Sequence, residues 1–473
     1  MKSLEDILYP FLKVYDNLPG FIKLMLAKLY NLIPKKKTLG QAFFDFKTLI
    51  SETQFDAAEK HFEYQNKCFL ETIEAAKKTK FYPKYYALFG IDINNIKSIK
   101  DIDMLPFINK STLQENGEEI VVEELRSNAL YLTTGGSSGT PTGLYYQKGI
   151  SRGKEQAFIE NIWSEIGCVR DSKSISFRGK VTAVGGEEKL FKYDYVRNWL
   201  HLSSFHLTAD RFSEYINEIN KFKPKYIQGY PSAITMLCKL MNQNNVVFPF
   251  KIDGVLVGSE NISIEQIDLI ESTLNTKLIT WYGHSEIAVL GGHCIHSRKY
   301  HVFPQYGYTE MIDKNDQLIK NGSGEIVGTN FHNNVFPLIR YKTGDRAKIS
   351  EEQSCNCGRN YLMLDEIEGR EQEFLVAEGK RLIGMASLIV HDRTFNNIKQ
   401  YQFIQNSEEE VLINYTKLDD DIEIDESIIV KRISAKLGKG VNVKISSVSS
   451  IPLSKRGKII PLIQNLDLKK YST

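Results

Sequence analysis

The 473-residue chain has 42% hydrophobic and 25% charged residues and a formal charge of +2, which supplies apolar material for more than one core and gives no global bias toward nucleic acid or an acidic polymer. Its six cysteines (68, 168, 238, 294, 355 and 357) come without a secretory h-region, because MKSLEDILYPF is charged too early for one. Free thiols or metal ligands in a reducing cytoplasm are expected rather than disulfides.

In chain order, the first notable stretch is the most apolar window, Leu18 to Pro34, which holds Lys23 and Lys28 and ends at Lys35-Lys36-Lys37. It is too short and too charged to span a bilayer. Phe21, Leu24, Met25, Leu29, Leu32 and Ile33 still form a broad apolar helical face beside a basic cluster. A helix packed on the main domain is the commoner use of such a face, and peripheral membrane contact through 18–37 is the other. Residues 1–125 read mainly as helices, with Phe55, Ala58 and Phe62, then Leu70, Ile73 and Lys77, recurring at helical spacing until Leu105-Pro106-Phe107 ends the run.

Tyr131 to Tyr146, YLTTGGSSGTPTGLYY, sets small hydroxylated residues and glycines between apolar flanks. Glycines 135, 136, 139 and 143 allow φ > 0 and close backbone approach, and Thr133, Thr134, Ser137, Ser138 and Thr140 add hydroxyl donors, an arrangement suited to phosphate. The stretch lacks the Lys-Ser/Thr ending of a Walker A motif, so no P-loop fold follows, and such a cluster taken alone is more often a plain turn. From about 127 to 350, short β-rich runs (174–177, 226–228, 254–257, 278–282) alternate with helical patterns (210–222, 263–274), which predicts α/β layering with largely parallel strands and ligands near their ends. After Asp345 come a cysteine-containing turn and a strand-helix-strand pattern, with a boundary near Gly369-Arg370.

Seven strings then recur in one order: the 131–146 loop, Gln228-Gly229-Tyr230-Pro231-Ser232, Gly258-Ser259-Glu260, Tyr282-Gly283-His284-Ser285-Glu286, Tyr341-Lys342-Thr343-Gly344-Asp345, Gly369-Arg370 and Lys455-Arg456-Gly457-Lys458. In these the chain resembles the adenylate-forming superfamily, nearest its phenylacetate-CoA ligase and CapK-like capsule-biosynthesis branches. The resemblance implies an α/β fold like that of acetyl-CoA synthetase: a large multi-layer N-terminal adenylation domain with mainly parallel sheets, and a small mobile α+β C-terminal domain. The expected segments are a helical part at 1–125, an adenylation core at 126–369 and a lid at 370–473.

The same resemblance implies roles. Thr133, Thr134, Gly135, Gly136, Ser137, Ser138, Gly139 and Thr140 would wrap the ATP phosphates, with Gly258, Ser259, Glu260 and Gly283 also in the nucleotide site. Tyr282 would stack on adenine, Glu286 would bind Mg²⁺, Asp345 would accept from the ribose hydroxyls and Arg370 would support the nucleotide. Outside the resemblance, Asp345 could be a turn residue and Glu286 a first-turn helix acid. Lys458 would stabilise the pentavalent transition state; most such basic turns are simply solvated. Tyr230, His284, Ser285 and Arg178 are the candidates for substrate contact. The sequence departs from the family at Pro141-Thr142-Gly143, where one lysine is missing, and at Gln372, where the family has an acidic hinge residue.

Cys294, His301, Cys355 and Cys357 match the Cys, His and C-x-C-G pattern of the phenylacetate-ligase branch and imply structural Zn²⁺, with His296 as a competing ligand. A lone C-x-C is a weak signal, since free buried cysteines are common. The implied activity is an ATP- and Mg²⁺-dependent, AMP-forming carboxylate ligase with CoA as acceptor, serving surface polysaccharide synthesis. The alternatives are an adenylyltransferase acting on a deazaflavin hydroxyl and a catalytically weak nucleotide-binding scaffold.

Overall fold

This computed structural model describes residues 18–133, 142–177, 181–182, 188–204, 206–370, 374–380, 382–384, 397–419, 421–452 and 460–471, with scattered positions before 18. The chain separates into two compact units, one formed by Met1–Arg170 with Ile279–Glu366 and the other by Asp171–Leu278 with Ile367–Thr473.

The first unit opens with helices α1 (Gly20–Leu32), α2 (Lys35–Leu39), α3 (Gln41–Thr53), α4 (Ala58–Lys77), α5 (Phe81–Ala87) and α6 (Lys110–Ile120). Helix α6 starts at Asn109, whose side chain accepts from the Thr112 N–H while Thr112 answers the Asn109 N–H, a reciprocal cap for two otherwise orphaned donors. Helix α4 buries His61, Cys68, Phe69, Thr72, Ile73 and Ala76. Phe55 and Phe62, which share helical spacing, are exposed instead, because the buried stripe of mostly smaller side chains runs one position away and Phe62 is turned about 100° from it. A hairpin of β1 (Ala129–Thr133) and β2 (Gly143–Gln147) flanks the glycine-rich loop, and α7 (Ser151–Ser164) follows.

Residues 171–278 begin the second unit. Strands β3 (Ser174–Phe177), β4 (Phe191–Asp194), β5 (Trp199–Leu202), β6 (Tyr226–Gly229) and β7 (Gly254–Gly258) are interleaved with α8 (Phe212–Phe222), α9 (Pro231–Gln243) and α10 (Ile264–Leu274), close to the expected spans. Their order is β7-β6-β3-β5-β4, parallel except for the last pair. At Gly229 a Cβ would fall 2.7 Å from the Phe177 carbonyl oxygen, so glycine is what lets β6 end against β3.

Back in the first unit, β8 (Leu278–Gly283), β9 (Leu290–His293), β10 (Tyr300–Val302), β11 (Gly307–Ile312), β12 (Gly322–Asn330), β13 (Tyr341–Ile349) and β14 (Leu362–Arg370) lie in the order β11-β12-β13-β14-β10-β9-β8. The recorded registers here are antiparallel. Parallel pairing in the 174–258 run depends on helical crossovers, whereas strands joined by turns can only return antiparallel. One core joins Phe69, Tyr82, Ile108 and Leu113 to Phe331, Phe336, Ile339 and Tyr341. Backbone bonds cross it from Val122 N–H to the Val335 oxygen (3.0 Å) and from Ile108 N–H to the Arg340 oxygen (3.1 Å). The buried Arg340 guanidinium holds Glu310 at 2.8 Å and the Leu105 carbonyl at 2.7 Å.

The C-terminal segment, within the second unit, folds as β15 (Ile398–Ser407), β16 (Glu410–Lys417), α11 (Glu426–Leu437), β17 (Asn442–Ser447) and β18 (Leu462–Gln464), in the order β17-β16-β15-β18. Asp425 caps α11, which buries Ile429, Ile433 and Leu437. Leu418 packs into the core of 175–278, and the Lys239 ammonium donates to the Ile398 carbonyl at 3.1 Å. Among the described residues, no helix is long and apolar enough to cross a membrane.

Candidate active site

Strand β8 ends at Gly283 and turns back to β9 through His284–Val289. Inside this turn the Ile287 N–H bonds the His284 carbonyl at 3.0 Å with Ile287 at φ +50°, a strained setting for a β-branched residue and one that persists where its surroundings over-determine it. The turn fixes His284 by both ring nitrogens. Val289 N–H donates to Nε2 at 3.3 Å, which leaves the proton on Nδ1, and Nδ1 donates to Glu286 Oε2 at 3.0 Å. The other carboxylate oxygen, Oε1, accepts from the Tyr341 hydroxyl at 3.0 Å. Burial works to raise the Glu286 pKa, but the hydrogen bonds from His284 and Tyr341 outweigh it and hold the acid down to about 2. Glu286 is thus a buried, ionised carboxylate with lone pairs left for a hard cation.

Asp345 stands beside it. The Tyr282 hydroxyl donates to Asp345 Oδ2 at 2.9 Å, and both side chains are buried. The sequence folds this way because β13 bulges: Val327 pairs with Lys342 and Glu325 with Arg346, so Thr343, Gly344 and Asp345 together oppose Ile326. Gly344 takes φ +73° there, and Thr343 Oγ1 accepts from the Asp345 N–H at 3.1 Å. Ser285 presents its carbonyl to the Tyr146 hydroxyl at 2.7 Å, which ties the turn to the strand leaving the glycine-rich loop. Tyr282, His284, Glu286, Tyr341 and Asp345 therefore form one contiguous polar cluster, with the His284 ring 6.1 Å from Tyr282 and 6.3 Å from Tyr341.

In the second unit, Tyr230 is buried and immediately precedes α9, whose first residue is Pro231. Glu260 Oε2 accepts from the Ser232 N–H at 3.1 Å, a donor that the first turn of a helix leaves without an internal partner. Between Gly258 and Glu260, Ser259 adopts φ +70° as β7 ends. Thr134, Gly135, Gly136, Ser137, Ser138, Gly139, Thr140, Arg178, Gln372 and Lys458 lie outside the described residues, as do the side chains of Thr133 and Arg370.

A second cluster is built of thiols. The ligand atoms of Cys294, His301, Cys355 and Cys357 all lie within 4.8 Å of one another. Cys294 Sγ is 3.8 Å from Cys355 Sγ, and Cys357 Sγ is 3.6 Å from His301 Nδ1. Two thiolates on a tetrahedral zinc at roughly 2.3 Å stand about 3.8 Å apart, so the donor set fits that ion in type and in spacing. His301 Nε2 meets the Ser297 hydroxyl at 3.4 Å, and burial with the nearby Arg359 lowers its pKa to about 4, leaving the neutral ligand form at pH 7. His296 is exposed and outside this group.

Two contributors went unread in the sequence. Tyr341 sits in a quoted string, yet its grip on Glu286 depends on the fold of β13. Lys154 is fully buried, donating to the carbonyls of Tyr306 (2.6 Å) and Phe331 (2.9 Å) with its ammonium 3.9 Å from the Tyr306 ring centre. Burial lowers its pKa to about 7. The Tyr306 hydroxyl donates to Glu155, whose carboxyl is raised by burial. A lysine in a helical run carries no local signal of such burial.

Residues 375–465 match the CapK C-terminal domain family. Protein CapK of Staphylococcus aureus is 25% identical over 413 residues, 86% of this chain and 89% of that protein. The phenylacetate-coenzyme A ligase of Thermus thermophilus is 21% identical over 319 residues, 64% of this chain and 68% of that one. In fold, the chain is similar to 2-hydroxyisobutyryl-CoA ligase in its postadenylation state, with a TM-score of 0.63 and 17% identity over 88% of this chain and 92% of that one. The chain is thus similar in sequence to CapK and to phenylacetate-coenzyme A ligases, and in fold to a CoA ligase.

Proposed function

We propose that the protein is an ATP-dependent, AMP-forming ligase that activates a carboxylic acid and passes the acyl group to CoA. The observation that carries this reading is the ionised Glu286, clamped by His284 and Tyr341 and set beside the Tyr282–Asp345 pair. Adenylation needs a hard cation on the phosphates and an acceptor for the ribose hydroxyls, and these two carboxylates supply both functions. A substrate carboxylate oxygen attacks the α-phosphorus and pyrophosphate leaves; the CoA sulfur then attacks the acyl carbon and AMP leaves.

In this reading Glu286 holds Mg²⁺, Asp345 takes the ribose, Tyr282 offers its ring to adenine and Arg370 supports the nucleotide. The loop of Thr133 to Thr140 cradles the phosphates, aided by Gly258, Ser259, Glu260 and Gly283, and Lys458 offsets charge in the transition state. Tyr230, Ser285 and Arg178 contact the acid. His284, with both nitrogens engaged inside the protein, acts by positioning Glu286. Cys294, His301, Cys355 and Cys357 would hold a structural Zn²⁺, and four protein ligands would give it no catalytic role. The segments are those at 1–125, 126–369 and 370–473, the last supported by the family match over 375–465. The CapK relationship suits an acyl supply for surface polysaccharide, and the free cysteines suit a reducing cytoplasm.

ATP–pyrophosphate exchange across aryl, fatty, hydroxy and amino acids tests the proposal, with Lys458→Ala as control. Exchange with one class, lost in the variant, is the expected result. Absence of exchange with every acid, despite ATP binding, overturns it; AMP retained on a phenolic acceptor would assign the chain to adenylyl transfer instead.

A further inference from the structure

Helix α1 is folded inside out. Its buried side carries Lys23 and Ala27, at 9% and 1% exposure, while Phe21 and Leu32 stand 75% and 79% exposed, and Leu24, Met25, Leu26 and Leu29 are exposed with them. Positions 21, 24, 25, 28, 29 and 32 fall on one side of a 3.6-residue helix, so the outward face is a continuous apolar stripe broken only by Lys28. A long lysine stem can lie along apolar surface with its ammonium at the edge. A stripe of this kind on a surface helix marks an interaction site rather than scattered exposure.

Charge selects the occupant. The stretch from Leu18 to Phe44 contains five lysines (23, 28, 35, 36 and 37) and no acidic residue. Lys35, Lys36 and Lys37 follow the stripe directly on α2, and all three are exposed. A second copy of this chain would bring lysines against lysines. An anionic bilayer surface offers an apolar layer for the stripe and phosphate for the cluster. The helix of 13 residues, about 20 Å long, is shorter than the roughly 30 Å hydrocarbon core and is suited to lying in the interface.

We propose that α1 and the Lys35–Lys37 cluster dock the protein on the surface of an anionic membrane, with α1 parallel to the bilayer plane. The test is co-sedimentation of the full chain with vesicles of equimolar phosphatidylglycerol and phosphatidylcholine, and with vesicles of phosphatidylcholine alone. Binding to the first, weakening as salt rises, and little to the second is expected. Lys35→Gln with Lys36→Gln and Lys37→Gln should weaken binding on the order of 100-fold, at roughly five-fold per lysine. Phe21→Ser with Leu29→Ser and Leu32→Ser should abolish it, and thermal melting of both variants should match the parent because every altered residue is exposed. No sedimentation with anionic vesicles, or equal binding by the variants, overturns the proposal. So does a parent oligomer that the serine variant dissociates while vesicles remain unbound, since a second copy would then cover the face.

Discussion

The first unit holds two polar clusters of opposite design. Around Glu286 every partner is protein: His284 and Tyr341 each satisfy one carboxylate oxygen, and Tyr282 satisfies Asp345. Around Cys355 the sulfurs and the His301 nitrogen converge, with 3.8 Å from Cys294 Sγ to Cys355 Sγ and 3.6 Å from Cys357 Sγ to His301 Nδ1. The carboxylate cluster has its polar contacts supplied by side chains of the fold itself. The thiol cluster is compact but becomes electrostatically complete when a cation bridges its donors. Damage to the first should therefore appear chiefly in rates and in the pH dependence of stability, and damage to the second in stability at neutral pH.

The sharpest way to break this contrast is Cys355→Ser, which should remove a metal ligand and cost on the order of 4 kcal/mol, read as a lower melting temperature together with loss of one equivalent of zinc by elemental analysis. An unchanged melting point in a zinc-free variant would mean that the four residues are an ordinary buried thiol cluster. Glu286→Gln should lower pyrophosphate exchange about 10²–10³-fold, the scale of losing a preorganised charged group. A full rate in that variant would remove Glu286 from the chemistry. The same residue predicts an acid limb. Its folded pKa of about 2 lies below the ordinary 4.5, so the native state favours the ionised form. That stabilisation, about 3 kcal/mol from the shift, is fully present above the ordinary value and is lost as pH falls toward 2. Glu286→Gln should flatten this part of the stability–pH curve relative to the parent, and two superimposable curves would contradict the hydrogen-bond account. Tyr341→Phe deletes one of the two clamps and should cost about 2 kcal/mol, or about thirty-fold in exchange, within the range for a hydrogen bond to a charged group. Gly344→Ala should be the mildest at about 1 kcal/mol of strain, because a Cβ there meets nothing within 4 Å and the price is set by φ +73° alone.

Periodicity in the sequence located α8, α10 and the strands near 174, 226, 254 and 278, because alternating apolar runs and amphipathic helices are local properties. The family resemblance pointed to the four zinc-type ligands, while spacing alone grouped Cys294, Cys355 and Cys357 with two histidines. Spacing left His296 and His301 as rivals, since both follow Cys294 closely. The turn that closes between Cys294 and Lys299 decides the matter by leaving residue 296 exposed, whereas His301 lies on β10 facing Cys357. The grip of Tyr341 on Glu286 depends on the bulge in β13 and on the hairpin at 284–289, and no window of the sequence spans both. At Phe62 and in α1 spacing identified a helix and an apolar face but not which side of the helix the rest of the protein covers.

The interrupted first unit has a consequence for how the chain is made. Its core needs Phe331 to Tyr341 against Phe69, Tyr82 and Ile108, yet residues 171–278 of the other unit are synthesised in between. On a ribosome adding 5–20 residues each second, the stretch from Arg170 to Glu366 takes roughly 10–40 s. Throughout that interval the N-terminal helices carry an apolar face whose partner does not yet exist. Nascent chains stalled near residue 278 should therefore recruit a holdase and digest readily within 58–120, while chains released after 366 should lose both properties together.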